Sequence, residues 1–267
     1  MFSLYPKRIV CLTEETTEIL YNLGEQDRIC GISGFTVRPK TARKEKPVIS
    51  TFLDANIEEI LNLKPDLVVG FSDIQADIAK QLISKGVTVL VNNHRTVRGI
   101  LQTIVQIGSL VGKSEKANEM INGYQTRLNE IQRNTTNWTT KPKVYFEEWY
   151  DPLISGISWV SELIEIAGGK DIFKDLASKS LAKDRIIANP QMVVDKNPDI
   201  IVASWCGKMF KKEKVVQRKN WNQINAIQTN DVYEINSSII LQPGPASITE
   251  GIETLHTIFK NWTTREK

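Results

Sequence analysis

Two α/β units with mostly parallel sheets, joined by one long α-helix and leaving a cleft between them, are the fold predicted for this chain of 267 residues. Three observations predict it. Strand-like and helix-like segments alternate along the chain, which implies parallel strands covered on both faces. The stretch NIEEILNLKPDLVVGF at 56–71 recurs as NPQMVVDKNPDIIVAS at 189–204, with Asn56, Pro65 and Asp66 matched by Asn189, Pro198 and Asp199. A single long amphipathic segment lies between the two copies.

The first unit opens with residues 8–12, a short β-branched run. EETTEILYNLG follows, with Ile19, Leu20 and Leu23 at helical spacing and Gly24 as the stop. RICGIS is the next strand. NIEEILNLKP reads as a short helix ended before Pro65, DLVVGF as a buried strand, DIAKQLISKG as a helix closed by Gly86, and VTVLVN as a further strand. From Ser114, a suitable N-cap, to about residue 133, the apolar residues Ala117, Met120, Ile121, Tyr124, Leu128 and Ile131 recur every three or four positions. At 1.5 Å per residue this is a rod roughly 30 Å long. After the polar NTTNWTTKPK the pattern restarts: KVYFEEW as a strand, SWVSELIEIAGG as a helix ended by paired glycines, NPQMVVDKNP as a short helix, DIIVASW as a buried strand and DVYEIN as a late edge strand. The boundaries expected are an N-terminal lobe at 1–112, a linking helix at 113–137 and a C-terminal lobe at 138–267.

Composition narrows the function. With 41% hydrophobic and 24% charged residues the chain is an ordinary globular protein, and its length suits two domains. A formal net charge of +3 is spread thinly, and the one basic cluster, KMFKKEK at 208–214, lacks the interleaved aromatics of a nucleic-acid surface. Cys11, Cys30 and Cys206 are too few and too scattered for a disulfide framework, and Cys11, inside the first strand, reads as a core residue. Neither Cys nor the two histidines, His94 and His256, have metal-ligand spacing, so no metal site and no required cofactor are expected. No run of 18 apolar residues is present, so no membrane insertion is expected.

Ligands of open α/β sheets bind beyond the carboxyl ends of the strands. Phe71 follows DLVVG, Trp205 follows DIIVAS, and Glu147, Glu148 and Trp149 follow KVYF, while Phe35 and Phe52 sit in loops on the same side. Aromatics with few titratable neighbours suit a large flat ligand with polar fringes. Adjacent residues on a strand point to opposite sides, so Glu147 and Glu148 cannot both face a ligand. An acid–base enzyme using these glutamates with Asp184 is the rival reading. Without a nucleophile, metal cluster or phosphate loop, no catalytic residue is assigned, and clustered, strongly shifted carboxylates would revive it.

In the order RIVCLTEETTEILYNLG, NIEEILNLKPDLVVGF, WVSELIEIAGGKDIF and NPQMVVDKNPDIIVAS, the chain resembles the helical-backbone (class III) substrate-binding proteins of bacterial ABC importers for cobalamin and iron-siderophores, most closely the cobalamin-binding branch. The resemblance implies two Rossmann-like lobes on one long helix, with the ligand in the cleft between them. It implies ligand-facing aromatics at Phe35, Phe52 and Phe71 and cleft positions at Leu241 and Gln242. Arg185, in DRII, stands where cobalamin binders place a second-lobe aromatic, and a guanidinium there equally suits carboxylates on the ligand.

The resemblance also implies one surface glutamate per lobe that reaches an ABC permease. Glu58, seven residues before Pro65, is the first; the matching position in the second copy is Gln191, which carries no charge. The family implies a periplasmic or extracellular location, whereas MFSLYPKRIVCL shows no signal peptide and reads as cytoplasmic as written. The expectation is a monomeric binding protein for a corrinoid, a siderophore or a similar metal chelate. The alternative is a cytoplasmic binding protein of the same fold with no transporter.

Overall fold

A computed structural model describes residues 4–51 and 54–265. The chain divides into two compact units, Met1–His94 with Arg98–Gly123, and Arg95–Val97 with Tyr124–Lys267. The helix Ser114–Thr136 belongs to both: its residues up to Gly123 group with the first unit and those from Tyr124 with the second. Phe52 lies outside the described residues.

The first unit holds one sheet of five strands: β1 (Ile9–Cys11), β2 (Ile29–Ser33), β3 (Val48–Ser50), β4 (Leu67–Phe71) and β5 (Val89–Asn92), in the order β3-β2-β1-β4-β5. Every neighbouring pair is parallel. Strands of this kind are apolar on both faces, and Val10, Leu12, Ile49, Ile60, Val68, Ile78 and Leu82 close one side of the sheet. The helix Glu14–Leu23 ends where Gly24 takes φ 78°, a left-handed turn that glycine adopts without a steric penalty. Cys11 is fully buried, and burial pushes its thiol up to about 12.

The second unit carries β6 (Lys143–Tyr150), β7 (Leu153–Ser155), β8 (Lys170–Asp171), β9 (Ile200–Ala203) and β10 (Val232–Glu234). Its strands run β10-β9-β6-β7, with β8 also paired to β6. Only the β6–β7 pairing is antiparallel, the consequence of a tight connection through Asp151 and Pro152. Tyr145, Phe146 and Trp221 are among its largest buried side chains.

Two long helices go beyond the sequence reading, Val97–Leu110 and Ile252–Arg265. The first has no acidic residue in its opening turn, so a common start signal is missing. Its Gly108 is required by packing: a Cβ there would lie 2.4 Å from that of Ala117 on the following helix.

The internal repeat has one physical meaning in both copies. The helices Ile57–Asn62 and Gln191–Lys196 are each six residues long, and Asn56 and Asn189 accept backbone N–H bonds at their starts, from Glu59 at 3.2 Å and from Gln191 at 3.0 Å. Each helix then turns through a positive-φ residue, Lys64 at 48° or Asn197 at 44°, into Pro and Asp. Asp66 accepts from the backbone N–H groups of Lys7 at 2.7 Å and Arg8 at 2.9 Å, pinning the entry to β1. Asp199 accepts from the Lys143 N–H at 2.8 Å, pinning the entry to β6. Each aspartate therefore ties a late strand to the first strand of its sheet. Replacing Asp199 by Ala is expected to lower the unfolding free energy by about 1–3 kcal/mol, and Asp66, which is more exposed, by about 1 kcal/mol, read by urea denaturation.

Candidate functional site

In the first sheet the chain leaves β1 toward β2 and β3, then returns to β4 on the other side of β1. That reversal opens a crevice beyond the carboxyl ends of β1 and β4. After β1 come Thr13, Glu14 and Glu15; after β4 come Ser72, Asp73 and Gln75. Gln75 spans the two ends, its Nε2 donating to the Leu12 carbonyl at 3.4 Å and its Oε1 accepting from the Phe71 N–H at 3.0 Å. Phe71 is 6% exposed and its ring meets His94 edge-on at 5.1 Å, so it packs in the core rather than standing as an open wall. Phe35, in the loop after β2, is 46% exposed and available to a ligand.

Thr13 does not cap its helix; its Oγ1 donates instead to Glu15 Oε1 at 2.5 Å. Glu14 and Glu15 occupy the first turn, where the helix dipole favours anions, yet both are buried. Desolvation prevails, pushing the Glu14 carboxyl up to about 7 and that of Glu15 up to about 8. Glu18, one turn on, is paired with Arg38 at 3.1 Å. TEETTE has the composition of a solvated helix start, and the one signal of this pair in the sequence is two adjacent acids directly after a buried strand.

In the second unit β6 and β9 end side by side, and an aromatic shelf follows them. Trp149 and Tyr150 lie 5.3 Å apart between ring centres, Tyr150 and Trp205 4.5 Å, and Trp205 and Phe210 5.1 Å. The Lys208 ammonium lies 5.2 Å from the Trp149 ring centre and that of Lys214 4.6 Å from Tyr150. Trp149, Tyr150 and Phe210 are partly exposed. The basic cluster at 208–214 is thus joined to aromatics that come from β6 and β9, which the linear sequence hides.

Three expected ligand contacts turn out to be internal. Glu147 is fully buried: it receives a forked contact from the Arg218 guanidinium, with Nη1–Oε2 at 2.5 Å and Nη2–Oε1 at 3.0 Å, a bond from Trp205 Nε1 at 2.9 Å and one from the Tyr145 hydroxyl at 3.0 Å. Trp205 is 3% exposed and forms the base of the shelf. Arg185 is neither a solvated loop residue nor an open guanidinium: its side chain is 3% exposed and grips Glu148 at 2.5 and 3.0 Å. Alternation along β6 decides this, because a strand end that turns Glu147 into the core turns Glu148 toward Arg185. Leu241 and Gln242, both half-buried, lie at the end of the short helix that follows β10. Glu58 is exposed on its helix, whereas Gln191 is half-buried, its Nε2 donating to Asp195 at 2.9 Å and its Oε1 accepting from Asn220 at 3.3 Å. Among the described residues, no cluster of His, Cys, Asp and Glu is placed to hold a metal, and no helix is long and apolar enough to cross a membrane.

Two α/β sheets that place aromatic and hydrogen-bonding side chains at their carboxyl edges define a ligand-binding protein of the parallel-sheet class. The chain belongs to the periplasmic binding protein family, whose sequence profile matches residues 9–239. It is 30% identical over 264 residues to the uncharacterized ABC transporter substrate-binding lipoprotein YvrC of Bacillus subtilis, covering 94% of this chain and 79% of that protein. It is 26% identical over 262 residues to the vitamin B12-binding protein of Vibrio campbellii, covering 94% and 90%. The structure of Staphylococcus aureus IsdE complexed with heme shares the fold at a TM-score of 0.79, with 22% identity and coverage of 94% and 98%.

Proposed function

We propose that the protein is the substrate-binding component of an ABC-type importer and that its ligand is a corrinoid or another large metal chelate. The observation that carries this reading is the aromatic shelf of Trp149, Tyr150, Trp205 and Phe210 with Lys208 and Lys214 beside it. A shelf of that kind holds a flat macrocycle by stacking and a polar fringe by its cations. The vitamin B12-binding relative supports the corrinoid over other chelates. Phe35, Trp149, Leu241 and Gln242 are the side chains proposed to meet the ligand, with Phe52 retained from the family resemblance. Binding without chemistry is the role, since family membership outweighs the shifted carboxylates Glu14 and Glu15, which have no nucleophile assigned beside them.

A calorimetric titration with cyanocobalamin, run beside heme and a ferric siderophore, tests the reading; micromolar or tighter binding of one of them is expected, and silence toward all three overturns it. Replacing Trp149 or Tyr150 by Ala is expected to weaken that binding by about 1–3 kcal/mol while leaving the fold intact. A second reading, a binding protein of this fold that serves no permease, is favoured by Gln191: the second docking position is neutral and already engaged with Asp195 and Asn220.

A further inference from the structure

The carboxyl edge of the first sheet holds a set of buried polar atoms that the protein leaves unsatisfied. Glu15 is 2% exposed, and while its Oε1 takes the Thr13 hydroxyl, its Oε2 has no hydrogen-bond partner. The hydroxyls of Thr16, Thr36 and Ser50 are likewise buried and without partners. Glu15 and Thr16 come after β1 and Thr36 after β2, and Ser50 is the last residue of β3; the three strands are neighbours in the sheet, so the four residues lie at one edge. Folded proteins satisfy nearly all their buried polar atoms, and a group of exceptions on a ligand-binding edge marks a place where something else completes the bonds. The edge borders the β1–β4 reversal, where sheets of this class take ligands.

We propose that Glu15, with the Thr16, Thr36 and Ser50 hydroxyls along the same edge, is a subsite for a nitrogen-borne hydrogen-bond donor of the ligand, a primary amide or an ammonium. The inference rests on the chelate-binding reading and specifies which chelates qualify. Below about pH 8 Oε2 carries the carboxyl proton, and hydroxyls accept as readily as they donate, so an amide satisfies the set by taking the Oε2–H on its carbonyl and giving its N–H to a hydroxyl, while an ammonium displaces the proton and donates to the carboxylate it leaves. A carboxylate does the opposite. It brings a charge into an edge where desolvation by burial already holds the Glu14 and Glu15 carboxyls above their ordinary range. The subsite therefore favours an amide-fringed or ammonium-bearing chelate and rejects one whose only fringe is carboxylate.

Titrations of the full chain and of its Glu15→Gln variant with three probes test this. The probes are cyanocobalamin, fringed with primary amides, ferrioxamine B, a ferric chelate with one ammonium, and heme, fringed with two carboxylates. Glu15→Gln keeps the shape and removes a buried acid, so a loss of binding does not come from unfolding. Tighter binding of cyanocobalamin or ferrioxamine B than of heme is expected, with ferrioxamine B weakened about tenfold by Glu15→Gln, which has no proton to release, and cyanocobalamin little changed. Repeating the titration in buffers of different ionisation enthalpy separates the two donors, because an ammonium expels a proton from the carboxyl and an amide does not. Heme binding most tightly and unchanged in the variant, equal weakening of all three probes, or ferrioxamine B binding untouched by the variant each overturn the subsite while the chelate-binding reading stands. Silence toward all three overturns both.

Discussion

Replacing Glu15 by Gln is expected to raise the unfolding free energy at pH 8 by about 3–5 kcal/mol, with little change at pH 4.5. The folded protein holds a proton on Glu15 up to about pH 8, whereas the unfolded chain releases it near the ordinary value of 4.5. Between those limits the unfolded state binds fewer protons than the folded state, so stability falls as pH rises. Glu14, raised to about 7, contributes in the same direction over a shorter window. Around Glu15 the charged and titratable groups are Glu14 and Glu18 on its own helix, Arg38 paired with Glu18, and the Cys11 thiol of β1. Gln is neutral in both states and removes the larger part of the slope. Urea denaturation at pH 5 and pH 8 reads this directly: a wild-type curve as flat as the variant's defeats the assignment. Natural proteins keep such a costly group where function demands it, which is the same conclusion the orphan oxygen supports.

Replacing Arg218 by Ala is expected to cost about 3–5 kcal/mol, the second large effect. The substitution leaves the Glu147 carboxylate, 0% exposed, with the Trp205 and Tyr145 donors and no counter-charge. It also strips the guanidinium from above the Trp221 ring, 4.4 Å from its centre. Adding Glu147→Gln to Arg218→Ala is expected to restore more than half of the loss, because the uncompensated charge is then gone. Because Glu147 also holds the Trp205 indole, the single variant loses near-ultraviolet dichroism and weakens chelate binding at the shelf. A loss under 1 kcal/mol, or a double variant no better than the single one, refutes the account.

The alternation of strands and helices is legible in the chain, since apolar runs bounded by Gly and Pro fix local structure without outside help. The repeat is legible there as well: Asn56 and Asn189 begin matching helices through local bonds, while the strand ties of Asp66 and Asp199 reach Lys7 and Lys143, far away along the chain, and come from the fold. The sequence also places Glu147, Glu148 and Trp149 toward the end of β6 and Trp205 just after β9. What those residues do is set by packing from distant segments. Whether a carboxylate faces water, a ligand or a guanidinium depends on what packs against it from distant segments, and Glu147 meets Arg218 while Glu148 meets Arg185. For the same reason Glu14 and Glu15, unremarked in TEETTE, become buried acids: local sequence sets the helix they start, but the desolvation that shifts them is a property of the whole assembled edge.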